Sequence, residues 1–192
     1  MIEQPELWSA LLPVIDAFEA LRIPYHIGGS VASSFTGVGR ATQDADLVAD
    51  LQIQHAGPLV RTLEGKYYAD QERIAHGIRG RRSFNLIHLE TMYKVDVFVL
   101  KDTPFARENM ARRIQIEVPG LGRTLWFASP EDIVLHKLLW YAEGGGVSDR
   151  QWYDLQGVIR IQKNVLDRDY LRSWADRLEV SGLLERALEE AG

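Results

Sequence analysis

The spacing of apolar residues along the first third of the chain predicts alternating helices and strands. Between Glu6 and Leu21, apolar side chains recur every three to four positions, the spacing of one face of an amphipathic helix. Pro24 ends this segment, and the apolar run 25–27 predicts a short strand before a glycine turn. The predicted elements are a helix over 6–21, a strand over 25–27, a helix near 31–35, a loop over 37–43, a strand over 44–49 and a helix near 54–64.

Apolar and β-branched residues further along predict antiparallel strands. Segments 84–89 and 94–100 are predicted to pair with each other. Segments 115–118 and 124–127 are predicted to form a hairpin around Pro119. The stretch over 71–82 is polar and basic, and we interpret it as a solvated loop.

The pattern becomes helical throughout after Ser129. This serine is a favourable N-cap, Pro130 suits the first helical position, and two acids follow in the first turn. Glycines at 144–146 end that helix, and further helices are predicted over 148–162, 167–177 and 181–191. The sequence therefore predicts an α/β (α+β) chain, with a mixed β-sheet core and flanking helices over 1–128 and a small helical bundle over 129–192.

The amino-acid composition excludes several types of site and of protein. The 192 residues include no cysteine, which excludes disulfides, zinc-thiolate sites, iron–sulfur clusters and cysteine nucleophiles. No apolar run approaches the length of a membrane span, and the first residues lack the pattern of a signal peptide, so we expect a cytoplasmic protein without membrane contact. The net charge of −5 argues against a general nucleic-acid coat but leaves room for a local basic site.

Two aspartates one residue apart suggest a metal site. Asp44 and Asp46 lie at positions i and i+2 of a predicted strand, so both carboxylates share one face. Their mutual repulsion is relieved by a divalent cation with oxygen ligands, Mg²⁺ or Mn²⁺. The alternative interpretation is a solvated face of an edge strand.

Two further features belong with this pair. The Gly28-Gly29-Ser30 turn stands between a strand and a helix, where free backbone N–H groups suit an anion; the alternative is a simple tight turn. Asp96 is an isolated acid in an apolar strand, and it requires a partner if it is buried. If its strand lies beside that of Asp44, the three acids converge; the alternative is an exposed strand face.

These residues resemble the DNA polymerase β-like nucleotidyltransferase superfamily. The segment Gly39-Arg40-Ala41-Thr42-Gln43-Asp44-Ala45-Asp46-Leu47 is similar to the Arg-x-Thr-x-Asp-x-Asp-Leu motif of small bacterial nucleotidyltransferases, which include minimal antitoxin-type and abortive-infection toxin-type enzymes. Downstream, Ser129-Pro130-Glu131-Asp132 with Lys137-Leu138 resembles their Ser-Pro-Glu-Asp-Leu…Lys-Leu helix. The segment 149–155 resembles the Asp-x-x-Asp-Leu helix that follows, so the resemblance covers about residues 24–162.

The resemblance implies a role for each matching position. Asp44 and Asp46 match the pair that binds Mg²⁺ (or Mn²⁺) on the β- and γ-phosphates of an NTP such as ATP. Asp96 matches the third catalytic and metal-binding carboxylate, which positions or deprotonates the acceptor hydroxyl. The nucleotide- and phosphate-binding positions are then Gly28, Gly29, Ser30, Arg40 and Lys137.

Several other polar residues have a structural alternative. Thr42 is predicted to brace the Asp44 strand, while Arg40 either braces it or contacts phosphate. Lys137 has a surface alternative, with its charged end in solvent. Three groups are predicted to be mainly structural: Asp149 and Asp154, as caps or as partners of Arg150 or Arg160; His136; and the aromatic side chains of Trp140, Tyr141, Trp152 and Tyr153.

The leading hypothesis is a metal-dependent nucleotidyltransferase that moves a nucleoside monophosphate from an NTP to a hydroxyl and releases pyrophosphate. The acceptor is open between RNA, protein and a small molecule, and the resemblance allows a partner protein of toxin–antitoxin type. The main alternative is a catalytically silent nucleotide- or partner-binding protein with the same fold. A metal-dependent phosphohydrolase using the same acids is a third option. Contact of the cluster Arg79, Arg81 and Arg82 with an RNA acceptor is left open.

Overall fold

A computed structural model of the chain describes residues 5–192, which form nine α-helices and one seven-stranded mixed sheet. The N-terminal residues on which the signal-peptide expectation rests lie mostly outside this range. The helices are α1 (Pro5–Ala20), α2 (Gly29–Thr36), α3 (Ala56–Leu63), α4 (Gln71–Gly80), α5 (Pro104–Arg112), α6 (Pro130–Glu143), α7 (Asp149–Gln162), α8 (Arg168–Arg177) and α9 (Ser181–Ala191). The strands are β1 (Tyr25–Ile27), β2 (Asp44–Ala49), β3 (Tyr67–Tyr68), β4 (Ser83–His88), β5 (Lys94–Val99), β6 (Ile114–Val118) and β7 (Arg123–Phe127).

The sheet has the strand order β3-β4-β5-β2-β1-β7-β6. The strands β2 and β5 run parallel at its centre, β1 runs parallel to β7, and the remaining neighbours are antiparallel. Both hairpins predicted from the sequence are present, and the mixed α/β architecture is confirmed. Burial alternates along β2: Ala45, Leu47 and Ala49 are fully buried, and the intervening residues are only partly covered.

The interpretation of 71–82 as a loop is wrong, because residues 71–80 form α4. Asp70 caps this helix, and its carboxylate accepts hydrogen bonds from the backbone N–H groups of Glu72 and Arg73. Ile74 and Ile78, four residues apart, are the buried contacts of an otherwise polar helix. Two more elements, β3 and α5, are absent from the sequence prediction.

The hydrophobic core crosses the predicted boundary at residue 128. A single cluster of buried side chains includes Leu47 and Val97 of the sheet together with Leu135 of α6 and Val158 of α7. On the acid-bearing face of the sheet, Phe98 packs against Trp140 of α6, with ring centroids 6.4 Å apart. The helices after residue 128 therefore help to build the same face of the sheet that carries the aspartates. The two-part division of the chain stays a prediction.

Within residues 5–192, no helix combines the length and the apolar character needed to cross a bilayer.

Candidate active site

The glycine turn between β1 and α2 lies directly against Asp46. The backbone N–H of Gly28 donates a hydrogen bond to the carbonyl oxygen of Asp46 at 2.8 Å. Gly29 has φ +54°, and a Cβ atom at this position would lie 1.7 Å from Oδ2 of Asp46. Only glycine therefore allows this carboxylate to sit over the start of α2, where unpaired backbone N–H groups favour negative charge.

The pairing of β2 with β5 brings the three candidate acids to one face of the sheet. Asp46 is the direct parallel partner of Asp96, and Asp44 shares its face because it lies two residues away on the same strand. The condition stated from the sequence, that the Asp96 strand lies beside the Asp44 strand, is met. The catalytic and metal-binding roles of these residues stay predictions.

Thr42 holds Asp44 in place, as predicted. Its hydroxyl lies 3.0 Å from the carbonyl oxygen and 3.1 Å from the Oδ1 atom of Asp44. The backbone carbonyl of Thr42 in turn accepts a hydrogen bond of 2.8 Å from the buried hydroxyl of Tyr93. The Asp44 carboxylate is thus oriented by a neighbour that is itself fixed to the start of β5.

Lys94 is a site residue that the sequence analysis missed. It lies two positions before Asp96 on the same face of β5, and its Nζ atom forms an ion pair of 2.7 Å with Oδ2 of Asp96. It is also the parallel partner of Asp44. The spacing Lys94-Val95-Asp96 was the available signal, since residues i and i+2 of a strand share a face.

Electrostatic repulsion concentrates on Asp46. Burial raises the pKa of its carboxyl group to about 6, and the charges of Asp44 and Asp96 contribute to the same shift. Lys137 and Lys94 act in the opposite direction without cancelling it. The site therefore favours an additional positive charge next to Asp46.

Arg40 and Lys137 converge on one buried carboxylate. Arg40 donates from Nε and Nη2 to the two oxygens of Asp154 at 2.7 and 2.8 Å, and it also donates to the hydroxyl of Ser30. Lys137 donates to Asp154 at 2.8 Å and to Gln151 at 3.0 Å. Although burial alone would raise it, the pKa of Asp154 is lowered by the hydrogen bonds and charges of its two cationic partners.

The contacts among Arg40, Lys137 and Asp154, called the triad below, correct two interpretations that the sequence left open. The Lys137 side chain is 1% exposed, so the surface alternative is wrong. Asp154 pairs with Arg40 and Lys137 rather than with Arg150 or Arg160. The triad ties α6 and α7 to the loop before β2, and the Lys137 charge is close enough to Asp46 to lower its pKa. Direct contact of Arg40 or Lys137 with a phosphate stays a prediction.

His136, Tyr141 and Trp152 make structural contacts, whereas Tyr153 is exposed. His136 is partly buried, and its Nδ1 atom lies 3.0 Å from the backbone carbonyl of Asp132. Tyr141 and Trp152 pack between α6 and α7 with ring centroids 4.9 Å apart. Inter-helix packing, the sequence-based interpretation, is therefore confirmed for this aromatic pair.

The acids suit a metal ion that shares its ligands with a substrate. Within residues 5–192, no three acidic or histidine side chains form a ready-made metal cage. Mg²⁺ is commonly held by one or two carboxylates together with substrate phosphates, so a complete protein cage is not required. Asp44 and Asp46, with the raised pKa of Asp46, provide that type of partial donor set.

No protein-family model and no curated protein matches the sequence. Solved structures do match the fold. An antigenic nucleotidyltransferase-like protein from Paracoccidioides brasiliensis superposes with a TM-score of 0.58 at 16% identity, covering 96% of this chain and 93% of that chain. The antibiotic-resistance factor ANT(2″)-Ia superposes with a TM-score of 0.56 at 16% identity, covering 95% of this chain and 98% of its own.

A second structure of ANT(2″)-Ia, in complex with adenylyl-2″-tobramycin, gives a TM-score of 0.55 at 16% identity, with 89% of this chain and 95% of that chain covered. A sequence identity of 16% supports similarity of the fold only. The similarity nevertheless extends over nearly the whole of each chain, sheet and C-terminal helices included. The chain therefore has the mixed α/β fold of nucleotidyltransferases.

Proposed function

We propose that this protein is a metal-dependent nucleotidyltransferase, which moves a nucleoside monophosphate from an NTP to an acceptor hydroxyl. The observation that carries the proposal is the seating of Asp46 over the Gly28–Gly29 turn, with Asp96 as its direct neighbour on β5. A glycine turn and a cluster of acids thus lie at one place in a fold of the nucleotidyltransferase type. ANT(2″)-Ia, whose complex contains adenylyl-2″-tobramycin, supports adenylyl transfer as the reaction type.

In this proposal the residues divide into two groups. Asp44 and Asp46 would hold Mg²⁺ or Mn²⁺, which would neutralise negative charge on the phosphates of the NTP and on the pyrophosphate that leaves. The turn of Gly28, Gly29 and Ser30 donates backbone N–H groups to phosphate oxygens. Arg40 and Lys137 support this side through Asp154, and Arg40 also orients Ser30.

Asp96 acts on the acceptor. Its carboxylate accepts the proton of the acceptor hydroxyl while that oxygen bonds to the α-phosphorus of the NTP. The bond between the α-phosphorus and the oxygen that bridges to the β-phosphorus breaks, and pyrophosphate leaves. Lys94 contacts Asp96 at 2.7 Å, so this lysine orients the carboxylate that faces the acceptor.

The test is transfer of label from NTPs that carry it at the α-phosphate. The wild-type protein, with Mg²⁺ and a panel of RNA, protein and small-molecule acceptors, is expected to label one acceptor. Asp44→Asn and Asp96→Asn should lower the rate by on the order of 100-fold or more. Glu117→Gln, which alters an exposed acid on β6 at the sheet edge, is the matched control and should retain activity.

NTP binding separates the outcomes. Calorimetric titration with NTP and Mg²⁺ should show binding by the wild type and by Asp96→Asn, and weakened binding by Asp44→Asn. A wild-type protein that neither binds NTP with metal nor transfers label would contradict the proposal. Release of labelled NMP to water without any acceptor would instead indicate a phosphohydrolase.

A second candidate is a catalytically silent protein that binds a nucleotide or a protein partner. The observation that favours it is the Lys94–Asp96 ion pair, which engages the carboxylate that an active enzyme offers to its acceptor. Binding of NTP without transfer to any acceptor would support this candidate. A partner of toxin–antitoxin type belongs to the same proposal, and a protein encoded by a neighbouring gene that co-purifies with the chain would support it.

A further inference from the structure

A groove beside Asp96 lies apart from the nucleotide side of the site. It has a volume of about 810 Å³ and runs between α4 and the outer part of β4. Asp96 forms part of its wall, whereas Asp44 and Asp46 do not. The groove therefore opens on the side of the site where the proposed function places the acceptor.

The groove carries an excess of positive charge. Its wall includes Arg73, Arg79 and Arg82, all exposed, and within residues 5–192 none of them has a carboxylate at ion-pair distance. Glu72 is the other acid of the wall besides Asp96. A positively charged acceptor would be repelled here, and an anionic one attracted.

The spacing of the basic residues fits a chain of phosphates. Arg73, His76 and Arg79 are three residues apart on α4, so they lie along one side of the helix. Six residues of helix extend about 9 Å, which is long enough to reach more than one phosphate of a single strand. The guanidinium group forms two parallel hydrogen bonds with phosphate oxygens, as it also does with carboxylate oxygens. A polynucleotide combines regularly spaced anions with a terminal hydroxyl, which is the group that the proposed reaction requires.

The end of the groove has the groups that a terminal ribose requires. Asn85 is the antiparallel partner of Asp96, and both line the groove. Its amide can donate a hydrogen bond to one sugar hydroxyl and accept one from another. Of the aromatic residues, Phe84 alone lines the groove, and it is 8% exposed, so base stacking contributes little.

We propose that the acceptor is the hydroxyl end of a single-stranded polynucleotide, held by its phosphates in the groove between α4 and β4 with the terminal sugar at Asn85 and Asp96. This inference rests on the proposed function, because it assigns the acceptor of that reaction. Contacts to phosphates without base stacking make recognition largely independent of sequence. Asn85 is a positioning residue, and Asp96 takes the proton of the terminal hydroxyl.

The first experiment measures binding without NTP. Fluorescence anisotropy of a labelled single-stranded RNA is followed with the full chain over a range of salt concentrations. The triple variant Arg73→Ala, Arg79→Ala and Arg82→Ala should bind on the order of tenfold more weakly. The slope of log affinity against log salt should also fall by about 0.7 for each phosphate that the variant no longer binds.

Two further triple variants control for net charge and for packing. Arg61→Ala, Lys163→Ala and Arg168→Ala remove the same charge from exposed positions outside the groove and should bind RNA like the wild type. The triple variant Arg73→Lys, Arg79→Lys and Arg82→Lys retains the positive charge and should retain the salt slope. An equal decrease in affinity in the first control and in the groove variant would overturn the inference.

Transfer then distinguishes the acceptor classes. With α-labelled NTP and Mg²⁺, the wild type should label the RNA, and the groove variant should raise the KM for RNA with little change in NTP affinity. Matched single-stranded DNA tests the need for a 2′-hydroxyl, and tobramycin serves as a positively charged acceptor. If NTP binds but label goes to tobramycin or a protein, the inference is overturned and the proposed function stands; if NTP does not bind, the proposed function itself fails.

Discussion

Gly29 is the residue whose identity the site constrains most tightly. Its backbone lies in the left-handed region, and the space that a side chain would take is filled by the Asp46 carboxylate. Gly28 differs in both respects: its φ is −121°, and the nearest atom to an added Cβ is the Asp46 carbonyl oxygen at 3.9 Å. Neighbouring glycines thus provide a matched pair for substitution.

We expect Gly29→Ala to lower the free energy of unfolding by about 2 kcal/mol or more, because left-handed backbone strain adds to displacement of Asp46. Gly28→Ala should cost less than about 1 kcal/mol. Urea denaturation of both variants and the wild type measures the difference. Equal decreases in the free energy of unfolding for the two variants would contradict the close approach of Asp46 to the turn.

Asp46 is expected to destabilise the metal-free protein at neutral pH. Its pKa of about 6 in the folded state lies above the value of 3.8 for an unperturbed aspartate. The folded state therefore holds the proton more tightly, and stability is lost as pH rises from about 4 through 6. One pKa unit is worth about 1.4 kcal/mol, which for a partly exposed group gives a penalty on the order of 2 kcal/mol.

Asp46→Asn should consequently raise the free energy of unfolding at about pH 7.5, and this gain should vanish near pH 3, below both pKa values. Urea denaturation in the presence of a chelator at several pH values is the measurement. Asp176→Asn, which alters an exposed residue of α8, serves as the control and should show no such pH-dependent gain. A stabilisation by Asp46→Asn that is the same at both pH values would rule out charge repulsion as the cause.

Helices α6 and α7 contribute to the site through the buried contact of Lys137 and Arg40 with Asp154. The carboxylate and the lysine are not equivalent in this contact. Removing the charge of Asp154 leaves Lys137 buried without a negative partner, whereas removing the charge of Lys137 leaves Asp154 with its two bonds from Arg40. The cost of breaking a buried pair depends on which charge remains uncompensated.

We expect Asp154→Asn to lower the free energy of unfolding by about 3–5 kcal/mol, and Lys137→Met to cost clearly less. Asp149→Asn, at an exposed position in the first turn of the same helix, should cost less than about 1 kcal/mol. The three variants are compared by thermal and urea denaturation. A larger decrease in Lys137→Met than in Asp154→Asn would show that the lysine, not the carboxylate, anchors the triad.

Sequence predicted the elements where periodicity or capping was strong. The strand Asp44–Ala49 and the helix Ser181–Ala191 have the predicted bounds. The helix α4 was missed because its polar surface outweighs two buried isoleucines, although Asp70 was a usable N-cap signal. The corresponding signals for α5 were Thr103 as the N-cap and Pro104 as the first helical residue.

The sequence predicted only those site residues that lie close together along one strand or on neighbouring strands. The i and i+2 rule places Asp44 with Asp46, and a plausible strand pairing adds Asp96. Asp154 could not be assigned in this way, because its bond to Arg40 joins residues 114 positions apart. Such a contact depends on how α7 packs on α2, and no local pattern encodes that packing.

At the scale of the whole molecule, the candidate active site depends on both parts of the predicted division at residue 128. The acids and the glycine turn come from the sheet portion, while Lys137 and Asp154 come from the helices beyond it. The core is also continuous across this point, with Leu47 and Leu135 in one buried cluster. Shared burial and a shared buried ion pair favour one cooperative unit over two.

Native-state hydrogen exchange tests this cooperativity. Amides in the centres of β2, β5, α6 and α7 should exchange through the same global opening, with free energies that agree within about 1 kcal/mol. Asp154→Asn should lower the opening free energies of all four elements together, because the triad couples the helices to the loop before β2. If α6 and α7 instead open several kcal/mol below the strands, the helices form a separate unit that can leave the sheet. Access to Asp46 and Asp96 would then be governed by docking of the helices, whereas one cooperative unit keeps the acids assembled before any nucleotide arrives.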